Sequence, residues 1–291
     1  MAALSSNTIR SCGFDYALGY TSAEHDRLIR QATRIAPTTE RLFREAGIGP
    51  GQRVLDLGSG VGDVAMLAAK LVGPSGEVVG IERDASSIAR AKARVAAAGL
   101  RNVSFTQADV NQIERDKPFD AAVGRFILMF LPDPVSVLGA VSRLVRPGGV
   151  LAFQEPSWIP SFALGAQLAL WSCLLSSIHK TLIHTGANPE MGPALYSMFQ
   201  EVGLPAPAMH LEILLGCDAD LIRLKCDVLG SLRPLARQHN VSLEALGDLD
   251  TLPDRIQAEI AAANTVVNFV PLVGAWSRKR NVPRNPITQL R

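Results

Sequence analysis

Between residues 51 and 155 the apolar positions switch repeatedly between two periods. Arg53–Leu57 (RVLDL) is a short apolar run broken by one acid, and Asp63–Val72 spaces its apolar residues at helical intervals until Gly73-Pro74 stops it. Glu77–Glu82 (EVVGIE) is a second β-like run. Asp84 is placed to cap a helix over 85–98 that ends at Gly99. NVSFTQAD and FDAAVG predict a third and a fourth strand. Asp133-Pro134, a cap followed by proline at the first helical position, opens a helix to Val145. RPGG then turns the chain into VLAFQE, a fifth strand. Nearly continuous apolar strands joined by helices predict a parallel sheet covered on both faces.

The rhythm changes after Glu155. Residues 158–184, rich in Ala, Leu and Ser, predict one or two long helices, and 192–202 another. AMHLEILLG predicts a sixth strand, 218–263 more helix, and VVNFVPLVGAWSRK a last strand whose Pro271 marks an edge or a bulge. Residues 1–48 are expected to be mainly helical. The expected organisation is therefore a helical cover (1–48), a sheet core (49–156), a helical lid insertion (157–190), a core helix and strand (191–216), a second helical insertion (217–265), and a last core strand with a basic tail (266–291).

Composition narrows the classes. Over 291 residues, 47% hydrophobic and 19% charged side chains imply a folded chain with a substantial core. Lys+Arg 29 against Asp+Glu 27, a net charge of +2, gives no overall field to recruit nucleic acid or an anionic membrane. The uncharged run 162–178 is too short and too polar to span a bilayer, and MAALSSNTIRSCGF lacks the apolar core of a signal peptide. Cys12, Cys173, Cys217 and Cys226 lie far apart without C-x-x-C or nearby His, as expected for thiols in a reducing cytoplasm. The basic tail around Arg278-Lys279-Arg280 is expected to be a solvated terminus.

The stretch with most chemistry in it is VLDLGSGVG, residues 54–62. Gly58, Gly60 and Gly62 follow the first strand, where the chain of an open parallel sheet cradles its ligand. A dinucleotide-binding turn reads G-x-G-x-x-G, but here the third glycine comes one residue early and Asp63 stands in its place. An acid at a helix N-terminus repels pyrophosphate. Glu82 ends the second strand, where a carboxylate can accept from both hydroxyls of a ribose. Asp109 follows the third, where a carboxylate can accept from an exocyclic amine. Together the loop and the two acids suit a nucleoside with an uncharged or cationic tail.

In the order and spacing of VLDLGSGVG, VVGIE, QADV, FDAAVGRFILMFLPDP and LVRPGGVLAFQE, residues 49–155 resemble the class I S-adenosylmethionine (SAM)-dependent methyltransferases. MFQEVGLP and VPLVGAW resemble that family's last helix and closing strand. The resemblance implies an α/β fold, a doubly wound, mostly parallel, seven-stranded Rossmann-like sheet with a helical N-terminal segment and helical lid insertions. It implies SAM as cofactor and S-adenosylhomocysteine as product. Gly58, Gly60 and Gly62 would flank the methionine part, with Asp56 supporting the loop. Glu82 with Arg83 would take the ribose, Asp109 and Val110 the adenine, and the chain at Gly124 and Arg125 the amino-acid end. YALGY resembles a cofactor-covering element, so Tyr16, Tyr20 and Gln31 are expected near the donor's carboxylate.

The helical additions lack the basic and aromatic interleaving of a nucleic-acid groove; their Leu, Ala and Trp predict an apolar pocket and a small, largely hydrophobic acceptor, with Trp158 and Trp171 as candidate lining. His179, His184 and Glu155 are the candidate bases. Five residues apart, the two histidines do not share a helical face, so at most one acts. His25, His210 and His239 read as structural, and no metal is expected. Non-reactive use of SAM in a cyclase-like protein, a nicotinamide oxidoreductase and an RNA methyltransferase stay open as alternatives, as do a homodimer and the identity of the methylated atom.

Overall fold

The computed structural model describes residues 16–109 and 117–281. Val110, Cys12 and the chain after residue 281 lie outside the described residues. Arg278 and Lys279, expected in a solvated tail, are instead tied to the fold: Arg278 donates to the Gly148 and Ala46 carbonyls at 3.0 and 2.9 Å, and the Lys279 ammonium to those of Ser142 and Val145 at 2.7 and 2.6 Å.

Period-2 alternation builds the core. Five strands, β1 (Arg53–Leu57), β2 (Glu77–Glu82), β3 (Val103–Gln107), β4 (Phe119–Arg125) and β5 (Val145–Pro156), run parallel to their neighbours. Two more, β6 (Ala208–Glu212) and β9 (Leu272–Arg278), complete the sheet in the order β3-β2-β1-β4-β5-β9-β6, with β9 antiparallel to both its neighbours. Val54, Val78, Ala121, Val123, Val150 and Ala152 face one side, packed against Leu42 and Phe43 of helix α1 (Ser22–Glu45) and against α2 (Asp63–Val72). Their neighbours Leu55, Leu57, Val79, Ile81, Ala122, Leu151 and Phe153 face the other, under α4 (Pro134–Leu144) and α7 (Met191–Glu201). Strand order reverses between β1 and β4, which opens a crevice at the carboxyl ends of those strands.

Helix starts follow their caps. Asp84 accepts from the Ser87 amide at 2.6 Å at the head of α3 (Ala85–Ala97), and Asp133 from the Ser136 amide at 3.0 Å at the head of α4. Four further helices, α5 (Ile159–Leu164), α6 (Ala169–His184), α8 (Ala219–Gln238) and α9 (Leu252–Ala262), pack on one another, and of these α6 borders the crevice through Leu182 and α8 through Leu224, Lys225 and Val228. Helix α1 is tied to α8 by Arg30–Asp227 at 2.5 Å and by Arg34 with Asp218.

The two late β-segments differ from expectation. AMHLEILLG divides into β6 and a short β7 (Leu215–Gly216). VVNFVPLVGAWSRK divides into β8 (Val267–Asn268) and β9. Strands β7 and β8 pair in a separate two-stranded sheet. Pro271 has no N–H for a ladder. The chain therefore leaves the small sheet at Phe269, turns Phe269 and Val270 towards the crevice, and rejoins the large sheet at Leu272. Residues 218–263 are likewise broken between α8 and α9, and β5 starts before the RPGG turn, with an irregularity in its pairing opposite Phe119–Ala121.

Candidate active site

A cavity of about 500 Å³ opens where the strand ends meet the helical cover, within the range usual for small-molecule sites. Its floor is main chain. The turn after β1 passes through positive φ at Gly58 (63°), Gly60 (49°) and Gly62 (87°). A Cβ on Gly58 would stand 2.5 Å from the Ile127 side chain, whereas one on Gly60 would meet no atom within 4 Å and would project into free space. Gly62 plays another part: it caps α2 against Ala91 and Phe105 and is not in the cavity wall.

Glu82 is fixed by three amides. One carboxylate oxygen accepts from the Gly60 N–H at 2.9 Å, the other from Arg83 at 2.7 Å and Asp84 at 3.0 Å. A carboxylate has about four lone-pair sites, so acceptor capacity remains on the cavity side. Asp109 follows β3, half-buried in the wall, 4.0 Å from the Arg83 guanidinium. Asp63 also borders the cavity but is engaged by Arg94 at 2.6 Å, and Arg94 further clasps the Val61 carbonyl. Beneath the loop, Asp56 is 1% exposed and neither oxygen has a hydrogen-bond partner among the described residues. Burial pushes its carboxyl well above the usual range, with Arg125 opposing.

The roof is made of side chains from distant segments. On α1, Arg27 donates to both oxygens of Glu24 at 2.8 and 2.6 Å and to the Gln31 carbonyl at 2.8 Å. Glu24 also accepts from Tyr16 at 3.4 Å and from Ser231 of α8 at 2.9 Å. Both charges are buried. Arg125, at the end of β4, reaches Thr39 at 3.0 Å; burial lowers its pKa while Asp63 and Asp56 raise it. Trp158, Phe269, Leu224, Val228 and Lys225 complete an otherwise apolar ceiling. Glu190 holds the Trp158 turn, accepting from the Trp158 and Ile159 amides at 2.7 and 3.0 Å.

Of the residues singled out from sequence, Tyr16, Tyr20, Gln31, Gly58, Gly60, Glu82, Arg83, Asp109 and Arg125 meet around this one cavity. Gly124 does not: a Cβ there would strike Phe153 at 2.7 Å, so it serves close packing between β4 and β5. The three candidate bases also lie elsewhere. The Glu155 carboxylate accepts from the amides of Ile127, Leu128 and Met129 at 3.0, 2.9 and 3.4 Å and is fully buried beneath that turn. Burial raises it to about 7 against the pull of those amides. His179 packs its ring on Phe162 and Trp158, with centroids 5.1 and 5.9 Å away, behind the cavity wall. His184 is exposed and stacks on His239 at 5.6 Å. Both point away because α6 turns its Trp171, Leu175 and Leu182 edge to the core. Trp171 is fully buried packing and only Trp158 reaches the wall.

His25, read as structural, does line the cavity, its Nε2 3.1 Å from the Ser87 hydroxyl. Two further charged residues of the cavity, Arg27 and Lys225, are not among those the sequence motifs single out. Lys225 is a charged residue inside an apolar helical stripe, between Leu221 and Ile222 and Val228 and Leu229, and that anomaly is a signal the sequence offers; Arg27 lies among Ala23, Glu24, Arg30 and Gln31 at helical spacing, and nothing local marks it. Among the described residues no cluster of three or more His, Cys, Asp or Glu is disposed to hold a metal, and no helix is long and apolar enough to cross a membrane.

A family model described as "Methyltransferase domain" matches residues 48–203, just over half of the chain. Demethylmenaquinone methyltransferase of Geobacillus kaustophilus is 32% identical over 139 residues, 47% of this chain and 59% of that protein. The ubiquinone/menaquinone biosynthesis C-methyltransferase UbiE of Pseudomonas paraeruginosa is 36% identical over 117 residues (38% and 46%), and arsenite methyltransferase of Halobacterium salinarum 32% over 111 (38% and 28%). The matched region thus spans between about a quarter and three fifths of these relatives. Among solved structures, the fold is shared with YcgJ of Bacillus subtilis (TM-score 0.56, 15% identity, 84% of this chain and 99% of that one). It is also shared with YjhP of E. coli (TM-score 0.54, 19% identity, 90% and 99%).

Proposed function

The chain belongs to the methyltransferase-domain family, as a class I SAM-dependent methyltransferase, and on that premise we propose that it moves a methyl group from SAM to a small, largely apolar acceptor. One observation carries this reading: a polar crevice of main chain and carboxylates opens directly beneath an apolar ceiling, within one cavity.

The floor suits the donor's nucleoside. A Cβ at Gly60 would occupy free space that the loop leaves beside Glu82, and the acids at the ends of β2 and β3 offer acceptors for ribose hydroxyls and an adenine amine. Arg27, Gln31 and Arg125 are assigned to the carboxylate of the amino-acid end, and Tyr16 and Tyr20 to closing over it. When bound, SAM supplies an activated methyl on a sulfonium. The protein's part is orientation and exclusion of water, which in favourable cases lower a barrier by about 7–11 kcal/mol.

Within the described residues, 16–48, 157–190 and 217–265 are assigned as the covers over the sheet core that lies within 49–156, with 191–216 and 266–281 completing the sheet. Trp158 from the first insertion, Leu224 and Val228 from the second, and Phe269 after it favour an acceptor with an apolar body. Glu155 is assigned to holding the 127–129 turn that borders the site, since its oxygens are taken by amides. The near balance of charge favours small molecules over nucleic acid, and the free cysteines Cys173, Cys217 and Cys226 favour the reducing cytoplasm.

Incubation with SAM labelled in its methyl group and a panel of apolar hydroxy, amino and carbon-acid acceptors tests this. Label in an organic-soluble product, with stoichiometric S-adenosylhomocysteine, is expected. Donor that binds yet keeps its label across the panel would contradict methyl transfer and favour non-reactive use of the cofactor.

A further inference from the structure

One charged group in the ceiling has no role in the chemistry described so far. Lys225 lies on α8 four residues after Leu221 and four before Leu229, so it enters the helix's apolar face, where those two leucines are 0% and 1% exposed. Lys225 itself is 3% exposed and borders the cavity. Its ammonium sits 4.3 Å from the ring centre of Trp158 and 5.6 Å from that of Phe269. Aromatic faces favour a cation but leave its N–H donors without an oxygen. Among the described residues no carboxylate pairs with it. Glu24, the buried acid of the same roof, is already shared by Arg27, Tyr16 and Ser231, and Arg27 adds like charge beside the lysine.

A buried lysine is almost always paired. The contrast with Arg27 is direct, because two buried cations share one roof and only one has its counter-charge. Burial and Arg27 together lower the Lys225 pKa to about 7, as expected of an ammonium lacking an anion. Lys225, Trp158 and Phe269 line the same part of the cavity, the part assigned to the acceptor.

Resting on the methyl-transfer reading, we propose that the acceptor carries an anionic oxygen, a carboxylate or an ionised phenol or enol, and that Lys225 pairs with that oxygen while Trp158 and Phe269 enclose the adjoining apolar part. Lys225 is then a specificity-determining residue that touches substrate.

The probes are 2-naphthoate and its neutral isostere 2-naphthamide, titrated calorimetrically into protein saturated with S-adenosylhomocysteine. Wild type is expected to bind the acid at least about tenfold tighter than the amide, the worth of one charge-assisted hydrogen bond. In Lys225→Met, which keeps the apolar stem, that preference is expected to vanish while affinity for S-adenosylhomocysteine stays unchanged. Equal binding of the two probes by wild type, or no binding of the acid at millimolar concentration, overturns the proposal without use of any variant. Persistence of the preference in Lys225→Met overturns it too, as does a loss of S-adenosylhomocysteine affinity there, which would assign the lysine to the donor. Failure of wild type to bind S-adenosylhomocysteine at all would instead remove the methyl-transfer reading on which the proposal rests.

Discussion

At the floor of the cavity Glu82 is held by three backbone amides from two turns of chain, at Gly60, Arg83 and Asp84. At the roof Glu24 is held by side chains, Arg27 and Tyr16 nearby in sequence and Ser231 from 207 residues away. Both are carboxylates at the edge of one site. The first owes its position to glycines and strand ends, elements that a short stretch of sequence specifies. The second exists only once α1 and α8 have packed together. The floor is thus specified locally and the roof by long-range packing, and on the proposed reading the roof is the wall that meets the acceptor.

This contrast predicts unequal costs. Glu24→Gln strips the buried Arg27 of its counter-charge and should lower stability by about 3–5 kcal/mol in denaturant unfolding. Glu82→Gln removes a half-buried carboxylate whose partners are amides, and should lower it by about 2 kcal/mol or less. Equal losses would remove the distinction between the two walls.

Glu155 gives the next largest effect. Its pKa is raised from 4.5 to about 7, so the folded state favours the neutral carboxyl. The stability it contributes is fully present below pH 4.5 and is lost as pH rises through about 7. Over that window wild type should lose up to about 3 kcal/mol relative to Glu155→Gln, from urea unfolding at stepped pH. Parallel profiles for the two proteins would show that the carboxyl titrates as it does in the unfolded chain.

Asp109→Ala tests the floor alone. S-adenosylhomocysteine affinity should fall by about 1–3 kcal/mol, as expected when a buried amine loses its acceptor, with 2-naphthoate affinity in the saturated protein little changed. A reversed pattern would place the adenine elsewhere. The smallest effect is expected at His179→Ala and His184→Ala, both outside the wall, where each affinity should stay within about twofold of wild type. A tenfold change at either would return that histidine to the site.

The same contrast explains how much the sequence discloses. The alternation of Val54 and Leu55 across the two cores, the caps Asp84 and Asp133, and the glycine turn are local statements, and the structure realises each of them. Pro271 signals an irregular strand, but its outcome, two separate sheets with Phe269 and Val270 turned to the cavity, depends on Leu214 and Leu215 some fifty residues earlier. Histidine is an expected base near neutral pH, yet nothing within 158–184 specifies which edge of α6 faces the sheet. That edge is chosen by Trp171, Leu175 and Leu182 once α8 is in place. Lys225 is legible as a charge within an apolar stripe, whereas Arg27 is surrounded at helical spacing by Glu24, Arg30 and Gln31 and is not. Their opposite situations, one paired and one not, arise only from tertiary contacts.

On the proposed reading the floor receives an adenosine with a cationic sulfur neighbour and not a dinucleotide. Parallel calorimetric titrations of the folded protein with SAM and with NADH test it most directly. One-to-one binding of SAM with no heat from NADH is the predicted result. Saturable binding of NADH, with SAM failing to bind or to compete, would contradict it.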